Sequence, residues 1–374
     1  MNIKSLLLGS AAALVAVSGA RAADAIVAAE PEPVEYVRVC DAFGTGYFYI
    51  PGTETCLRIH GYIRYDIGGG ELFEQNTVTG DETYNQRARV SVRTSTASET
   101  ELGTLRTYSE LRFQWDTNSA VGGYSNDNEY SVNFAWIQLG GLRIGKDESF
   151  FTTWTGYAGP VINDGLIYDP GPFDTNLISY TYNGGAFRAG IAVEQGDDSN
   201  TAAQAWGIDD YAPHVVVGLG YNAGMVDLSA VVGFDTRDDM VGLAPAIRGG
   251  WSGKVRADVT VNDQLSLMAM LHYGENSSAY TTWANGAVTD ETFAVTVGGS
   301  YKFNDKATFN IQGQWREDNT GIVGNDDAFS VAANVAYQVV PGLIVTPEIA
   351  WRDRGTTAAN SDQFGGFLRV QRSF

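Results

Sequence analysis

The sequence predicts an all-β fold, a transmembrane antiparallel barrel of sixteen β-strands. Three observations predict it. Many runs of about 9 to 11 residues alternate between apolar and polar side chains, which is the length and pattern of a tilted strand that crosses a bilayer. Tight turns alternate along the chain with long acidic stretches. After residue 22 no apolar stretch is long enough for a spanning helix.

The composition also favours strands and turns. The chain of 374 residues has 44 glycines, 19 tyrosines and 17 phenylalanines, and only 18% of its residues are charged. The formal net charge is -20. Such a charge repels nucleic acids and other anionic partners, so we expect no nucleic-acid partner. No motif points to a cofactor or to a metal site.

The chain begins with a predicted secretory signal peptide, residues 1–22. Lys4 supplies the basic start, residues 6–17 form a short apolar run, and Ala20-Arg21-Ala22 fits a small-x-small cleavage site. Residues 23–55 are predicted to form a periplasmic lead, because AAEPEPVEY is rich in proline and glutamate and resembles a flexible linker.

Two cysteines, Cys40 and Cys56, are expected to form a disulfide that closes a hairpin within this lead. An oxidising periplasm allows the bond, and a loop of this length gains about 3 kcal/mol on the chain-entropy model. Two free thiols are the alternative. Metal binding is less favoured, because no other soft ligand lies near the two cysteines.

The barrel is predicted over residues 56–374. In QRARVSVR, for example, Arg87, Arg89 and Arg93 lie on one face and Val90 and Val92 on the other. The apolar face is expected to meet lipid, because an arginine facing the bilayer midplane costs about 2 to 4 kcal/mol. The sixteen predicted strands are 57–67, 86–95, 104–116, 130–139, 142–146, 177–182, 186–195, 213–221, 225–235, 247–261, 265–273, 292–303, 307–316, 328–339, 343–352 and 363–374.

Tight turns are predicted at one rim of the barrel and long loops at the other. The turn sequences are Gly140-Gly141, Asn183-Gly184-Gly185, Asn222-Ala223-Gly224, Asn262-Asp263, Asn304-Asp305 and Pro341-Gly342. Short periplasmic turns and long extracellular loops are typical of outer-membrane barrels. Tyr182, Tyr221 and Phe303 precede three of the turns on the apolar face, where an aromatic girdle belongs.

The chain resembles a known family. Its last strand, QFGGFLRVQRSF, ends on Phe374 and is similar to the terminal assembly signal of bacterial outer-membrane barrels. The segments VEYVRVCDAFGTGYFYIPGTETCLRIHGYIRYD and WIQLGGLRIGKDE resemble the alphaproteobacterial porins, in particular the major Brucella-type porins. The resemblance covers essentially the whole mature chain.

The resemblance implies a homotrimeric porin in the bacterial outer membrane, a general diffusion channel for small hydrophilic solutes. It also implies that the barrel-insertion machinery handles the chain and that the third external loop folds into the lumen. Residues 147–176 suit such a constriction loop, because they lack alternation and are too long for an ordinary connection.

Charges of opposite sign are expected to face each other at this loop. Its acidic residues are Asp147, Glu148, Asp164, Asp169 and Asp174. The polar faces of nearby strands carry Arg58, Arg64, Arg87, Arg89, Arg93, Arg106, Arg112 and Arg143. The two sets predict an aperture with a transverse field that favours polar solutes, with weak ion selectivity. The alternative is an external cap above merely solvated arginines.

Other functions are less favoured. We expect no enzymatic activity, because His60, His214 and His272 are widely separated and no catalytic motif accompanies them. A soluble propeller is suggested by turns spaced about 40 residues apart, but a blade needs four strands in that length. An adhesin or a substrate-specific channel stays open. Lumenal aromatic residues would favour sugar specificity, but Tyr62, Tyr108, Tyr157 and Tyr168 are too few to establish it.

The long loops suggest one more partner. GDDSNTAAQAWGIDDY, DTRDDMVG, GENSSAYTTWANG and REDNTGIVGNDD are acidic or polar. We expect the acidic loops to lie among lipopolysaccharide phosphates that divalent cations bridge to the carboxylates.

Overall fold

The structure is a computed structural model, and it describes residues 37–75, 79–120, 123–197, 206–238, 249–275, 280, 291–317, 326–356 and 361–374. Side chains are not described for residues 118–120 and 123–125. The chain divides into two units, Met1–Arg38 and Val39–Phe374, and everything below concerns the second. The predicted signal peptide lies outside the described residues, as does most of the lead before Cys40.

Sixteen antiparallel strands form a closed barrel, as the sequence predicts. A two-residue strand, β1 (Phe48–Tyr49), precedes them and pairs with the first barrel strand. The barrel strands are β2 (Cys56–Gly69), β3 (Tyr84–Thr100), β4 (Gly103–Ala120), β5 (Gly123–Leu139), β6 (Leu142–Glu148), β7 (Asp174–Gly184), β8 (Phe187–Glu194), β9 (His214–Asn222), β10 (Val226–Asp235), β11 (Gly250–Thr260), β12 (Leu265–Glu275), β13 (Glu291–Asn304), β14 (Ala307–Arg316), β15 (Ala328–Val340), β16 (Leu343–Asp353) and β17 (Asp362–Ser373).

The barrel closes where its last strand pairs with its first. β17 pairs with β2 from Gly366 opposite Gly69 to Ser373 opposite Tyr62. Phe374 continues the ladder, since its backbone nitrogen donates to the oxygen of Gly61 and its oxygen accepts from the nitrogen of Gly61, both at 3.0 Å. The two chain ends of the barrel therefore lie at one rim. In the described part of the chain, no helix is long and apolar enough to cross a membrane.

The six predicted tight turns are confirmed, and all of them lie at this rim. Gly140 and Gly342 have φ angles of 56° and 80°, a left-handed conformation that glycine adopts without a steric penalty. Strand lengths are predicted less well. β5 begins at Gly123 and not near residue 130 as predicted. The stretch GYSNDNE lacks apolar alternation, so the sequence gives no strand signal there, but its backbone pairs with the end of β4.

The two faces of the wall separate apolar from polar side chains. Ile63, Val90 and Phe113 are exposed on the outer surface. On the same strands, the neighbouring residues Arg64, Arg89 and Arg112 face the lumen. Tyr182, Tyr221 and Phe303 are each more than half exposed on the outer surface near the tight turns, as an interfacial girdle requires.

The disulfide between Cys40 and Cys56 is confirmed, and both cysteines are buried. The hairpin that it closes contains β1 and a short 3-10 turn, Asp41–Phe43. The hairpin also reaches the barrel wall, because the side chain of Arg58 on β2 lies beside Gly46.

Candidate functional site

A segment between β6 and β7, residues 149–173, lies inside the barrel; we call it the lumenal segment. The observed segment is shorter than the predicted one, 147–176. Asp147 and Glu148 belong to β6, where they pair with Thr175 and Asp174 of β7. The segment begins with a short helix, α1 (Phe150–Thr155). Ser149 precedes the helix, and its side-chain oxygen accepts from the backbone nitrogen of Phe151.

The start of the lumenal segment is anchored by Glu194 on the inner face of β8. This buried carboxylate accepts from the backbone nitrogen of Phe150 at 2.5 Å and from the hydroxyl of Ser149 at 2.9 Å. The hydroxyl of Tyr280, from the connection between β12 and β13, also donates to Glu194, at 3.3 Å. Phe151, Trp206 and Tyr280 form a buried aromatic cluster around this anchor. Side chains from two other long connections therefore hold the segment in place.

The rest of the lumenal segment is anchored along the inner wall from β11 to β16. Lys254 donates from Nζ to the carbonyl of Pro170 at 2.6 Å, and Arg256 donates to the carbonyl of Tyr157. Glu348 accepts from the backbone nitrogens of Ile162 and Asn163 at 2.6 and 3.0 Å. Further bonds to the segment's carbonyls come from Gln312, Gln314 and Arg352. These anchors come from side chains on the lumenal face, so the segment runs along that face and not above the barrel as a cap.

Arginines line the opposite wall, on β2, β3 and β4. Arg93 and Arg112 both bind Glu110, at 2.9 and 2.6 Å, and Arg87 pairs with Asp116. Arg64 and Arg89 instead donate to neutral glutamines, Gln371 and Gln114, each at 2.8 Å. Each arginine of the first group is paired with a carboxylate, and Arg93 and Arg112 share one. The partners of Arg64 and Arg89 carry no charge.

The other three predicted arginines lie towards the rim of tight turns. Arg58 contacts the disulfide hairpin, and Arg106 is exposed opposite Gln138 of β5. Arg143 pairs with Asp147 at 2.7 Å and lies over the ring of Trp136, 4.1 Å from its centroid. The structure therefore brings Arg64, Arg87, Arg89, Arg93 and Arg112 together as one group, and it places Arg58, Arg106 and Arg143 outside that group.

The five predicted acids differ in their surroundings. Asp147 and Asp174 belong to β6 and β7, where they pair with Arg143 and Lys146, both at 2.7 Å. Glu148, also on β6, accepts from the hydroxyl of Tyr157 at 2.5 Å. Only Asp164 and Asp169 lie in the lumenal segment itself, where Asp169 is exposed.

An open space of about 560 Å³ borders the lumenal segment on the side of the long connections; we call it the vestibule. Its acidic lining residues are Glu129, Glu148, Asp164, Asp169, Asp174 and Asp197. Burial, together with the nearby charge of Asp169, raises the pKa of Asp164 to about 6. The vestibule is therefore acidic, and its charge changes near neutral pH.

Sequence reasoning missed several residues of this site. Glu129 and Asp197 add charge to the vestibule, and Glu194, Lys254 and Glu348 anchor the segment. A signal was available for the anchors, because each is a charged residue at a polar position of an alternating strand. What the sequence could not give is the distance from these strands to a segment far away in the chain.

Comparisons with known proteins agree with this architecture. A family model described as "Porin subfamily" matches residues 24–367. Porin Omp2b of Brucella canis is 48% identical over 390 residues, covering 100% of both chains. Two solved structures share the fold at low identity. The outer-membrane channel DcaP of Acinetobacter baumannii has a TM-score of 0.68 and 18% identity, covering 87% of this chain and 99% of its own. OprB of Pseudomonas putida has a TM-score of 0.61 and 12% identity, covering 85% and 94%. The chain therefore belongs to the porin family, and it is an outer-membrane porin that forms a channel for passive diffusion.

Proposed function

We propose that this porin is a general diffusion channel whose aperture lies between the lumenal segment and the arginines of β2, β3 and β4. The observation that carries the proposal is the position of the segment, which is anchored on the wall from β8 to β16 and extends towards the opposite wall. Phe173, near the end of the segment, lies 5.9 Å from the guanidinium of Arg112. We therefore place the narrowest part of the passage between the lumenal segment, which carries Asp164 and Asp169, and the arginine wall.

The two charged walls favour polar solutes over apolar ones. A solute that enters the aperture loses part of its hydration shell, and fixed charges of both signs orient its dipole and replace some of the lost contacts. An apolar solute displaces the same ordered water without that compensation. The acids of the vestibule and the arginines of the wall act on ions in opposite senses, so we expect weak ion selectivity.

We also propose a homotrimer. The outer face of β3 and β4 near the tight turns carries hydroxyl groups where other strands carry tyrosine and phenylalanine. Thr94 bonds Ser109, and Thr96 bonds Thr107, each at 2.6 Å between the side-chain oxygens. Outer-facing hydroxyls at membrane depth suit contact with a second protein wall better than contact with acyl chains.

Export and assembly complete the proposal. Residues 1–22 act as a signal peptide, residues 23–55 form a periplasmic lead, and residues 56–374 form the barrel. The insertion machinery recognises the terminal strand that ends on Phe374.

The acidic loops bind lipopolysaccharide through divalent cations. Much of their length, such as 198–205, 239–248 and 318–325, lies outside the described residues. Membership of the porin family favours a channel over an enzyme.

The test is conductance across a planar lipid bilayer after addition of refolded protein. We expect stepwise increments in groups of three. A variant with Arg87, Arg89 and Arg93 replaced by serine should keep the steps but change the ion selectivity. Folded, inserted protein that conducts no current would refute the diffusion channel. Steps that never group in threes would refute the trimer alone.

A further inference from the structure

A row of four aromatic side chains lines the lumen from the lumenal segment towards the rim of tight turns. Phe173 of the segment lies 5.9 Å from Phe134 of β5, measured between ring centroids. Phe134 lies 6.2 Å from Tyr108 of β4, and Tyr108 stacks on Trp136 of β5 at 5.4 Å. Phe173 also borders the vestibule, whereas Trp136 lies four residues from Gly140 in the tight turn between β5 and β6. The row therefore connects the aperture with the periplasmic end of the channel.

The four rings face the water-filled passage. On β5, Phe134 and Trp136 alternate with Ala135 and Ile137, which are exposed on the outer surface. On β4, Tyr108 alternates with Thr107 and Ser109, whose hydroxyls lie on the outer face. Phe173 is 36% exposed, and the other three rings are partly exposed. Partly exposed rings in a lumen otherwise lined by polar side chains do not form a core, so packing alone does not account for the row.

Cationic groups flank the row at both ends. The guanidinium of Arg112 lies 5.9 Å from the ring centroids of both Phe134 and Phe173. The guanidinium of Arg143 lies 4.1 Å from the centroid of Trp136. Arg112 donates to Glu110 from Nε. Arg143 donates to Asp147 from one terminal nitrogen and to Gln138 from its other two nitrogens. Both arginines are thus held in place beside the rings by carboxylates of the wall.

We propose that this row is a binding track for solutes that combine a six-membered ring with a carboxylate group. The ring centroids are spaced 5.4 to 6.2 Å apart, so a ring-shaped solute that leaves one aromatic face reaches the next without returning to bulk water. Aromatic faces bind flat or weakly polar ring faces, and the planar guanidinium of Arg112, which bonds Glu110 through Nε, is the group that binds the carboxylate. The inference rests on the proposed diffusion function and gives that channel a preferred solute class.

The same chemistry occurs in sugar acids and in aromatic acids, and four probes separate the requirements. Glucuronate has the ring and the charge, gluconate has the charge on an open chain, and glucose has the ring without the charge. 4-Hydroxybenzoate replaces the sugar ring by an aromatic one. Each is added to single channels in a bilayer, and the residence time of the current blockages is measured. We expect glucuronate or 4-hydroxybenzoate to reside about two- to tenfold longer than gluconate and glucose, the range expected for one ring contact.

The variants are Tyr108→Leu with Trp136→Leu, and separately Phe134→Leu in case the double variant folds poorly. The matched control is Trp115→Leu, on the outer face of the same strand as Tyr108. The track variants should reduce the residence time of ring acids to that of gluconate, while the control leaves it unchanged. Equal residence times for all four probes in the native protein, or times unaffected by the track variants, would overturn the track. If the track fails these tests while the salt conductance is normal, the proposed diffusion channel still stands. If the native protein shows no salt conductance, the proposed diffusion function itself is refuted.

Discussion

Glu348 on the inner wall accepts two hydrogen bonds from Asn163 in the lumenal segment, at 3.0 Å from the backbone nitrogen and 2.7 Å from the side-chain amide. The two residues are 185 positions apart in sequence. A carboxylate that accepts several N–H groups is a strong anchor, because charge-assisted bonds are worth about 1.5 to 3 kcal/mol each.

The Glu348 anchor predicts a change in channel noise. Glu348→Ala removes the acceptor of Ile162 and Asn163, so the segment should leave its place intermittently and produce frequent conductance substates. Single-channel recording measures their lifetime. Glu101→Ala, in the exposed turn between β3 and β4, is the matched control and should give a quiet channel. A quiet Glu348→Ala channel with native conductance would contradict the anchoring role.

Arg64 and Arg89 should contribute most to the attraction of anions. They donate to neutral glutamines, whereas Arg93 and Arg112 share Glu110. Replacing both Arg64 and Arg89 by glutamine should shift the reversal potential in a salt gradient towards cation preference, because the acids of the vestibule then act with less opposition. Arg372→Gln, at the exposed rim, is the control. An unchanged reversal potential would place the selective charges elsewhere in the lumen.

The vestibule should lose cation preference as the pH falls. Burial raises the pKa of Asp164 to about 6, so this group is ionised at pH 8 and protonated at pH 5. The raised pKa also means that the ionised form costs stability above about pH 6, and that this cost is relieved as the pH falls. Reversal potentials between pH 8 and 5 measure the effect. Asp164→Asn should flatten the profile, while Asp263→Asn in an exposed turn should not.

The disulfide should stabilise the protein without controlling the current. Cys40 and Cys56 lie 16 positions apart, and a loop of this size contributes up to about 3 kcal/mol on the chain-entropy model. Reduction should therefore lower the unfolding midpoint in urea and leave the conductance of folded channels unchanged, because the β17–β2 ladder closes the barrel independently. The Cys40→Ser, Cys56→Ser variant should show no response to reductant. A collapse of conductance on reduction would show that the hairpin supports the pore itself.

The sequence predicts the barrel well for a physical reason. Each strand must separate lipid-facing from lumen-facing side chains, so alternation is imposed on every strand and can be read locally, as in QRARVSVR. The ends of β3, β4 and β5 extend beyond the apolar band, so alternation is not imposed on them. The predicted strands are too short at these ends because the pattern stops there.

The site is predicted only in part, because its geometry depends on distant contacts. Arg93 and Glu110 are recognisable as polar-face residues, but their pairing follows from the register between β3 and β4. The anchors Lys254 and Glu348, and the aromatic row through Phe134 and Trp136, depend on which strands a segment near residue 160 meets inside the barrel. Local sequence patterns carry no information about these contacts between the segment and distant strands.

The wall that anchors the lumenal segment is separate from the wall that carries the arginine group. A descendant of this chain could therefore replace arginines on β2 and β3, and so exchange the ions it admits, without loosening the segment that we propose to limit solute size. Charge preference and size limit can in this way evolve as two nearly independent traits of one protein, each by substitutions on its own half of the barrel.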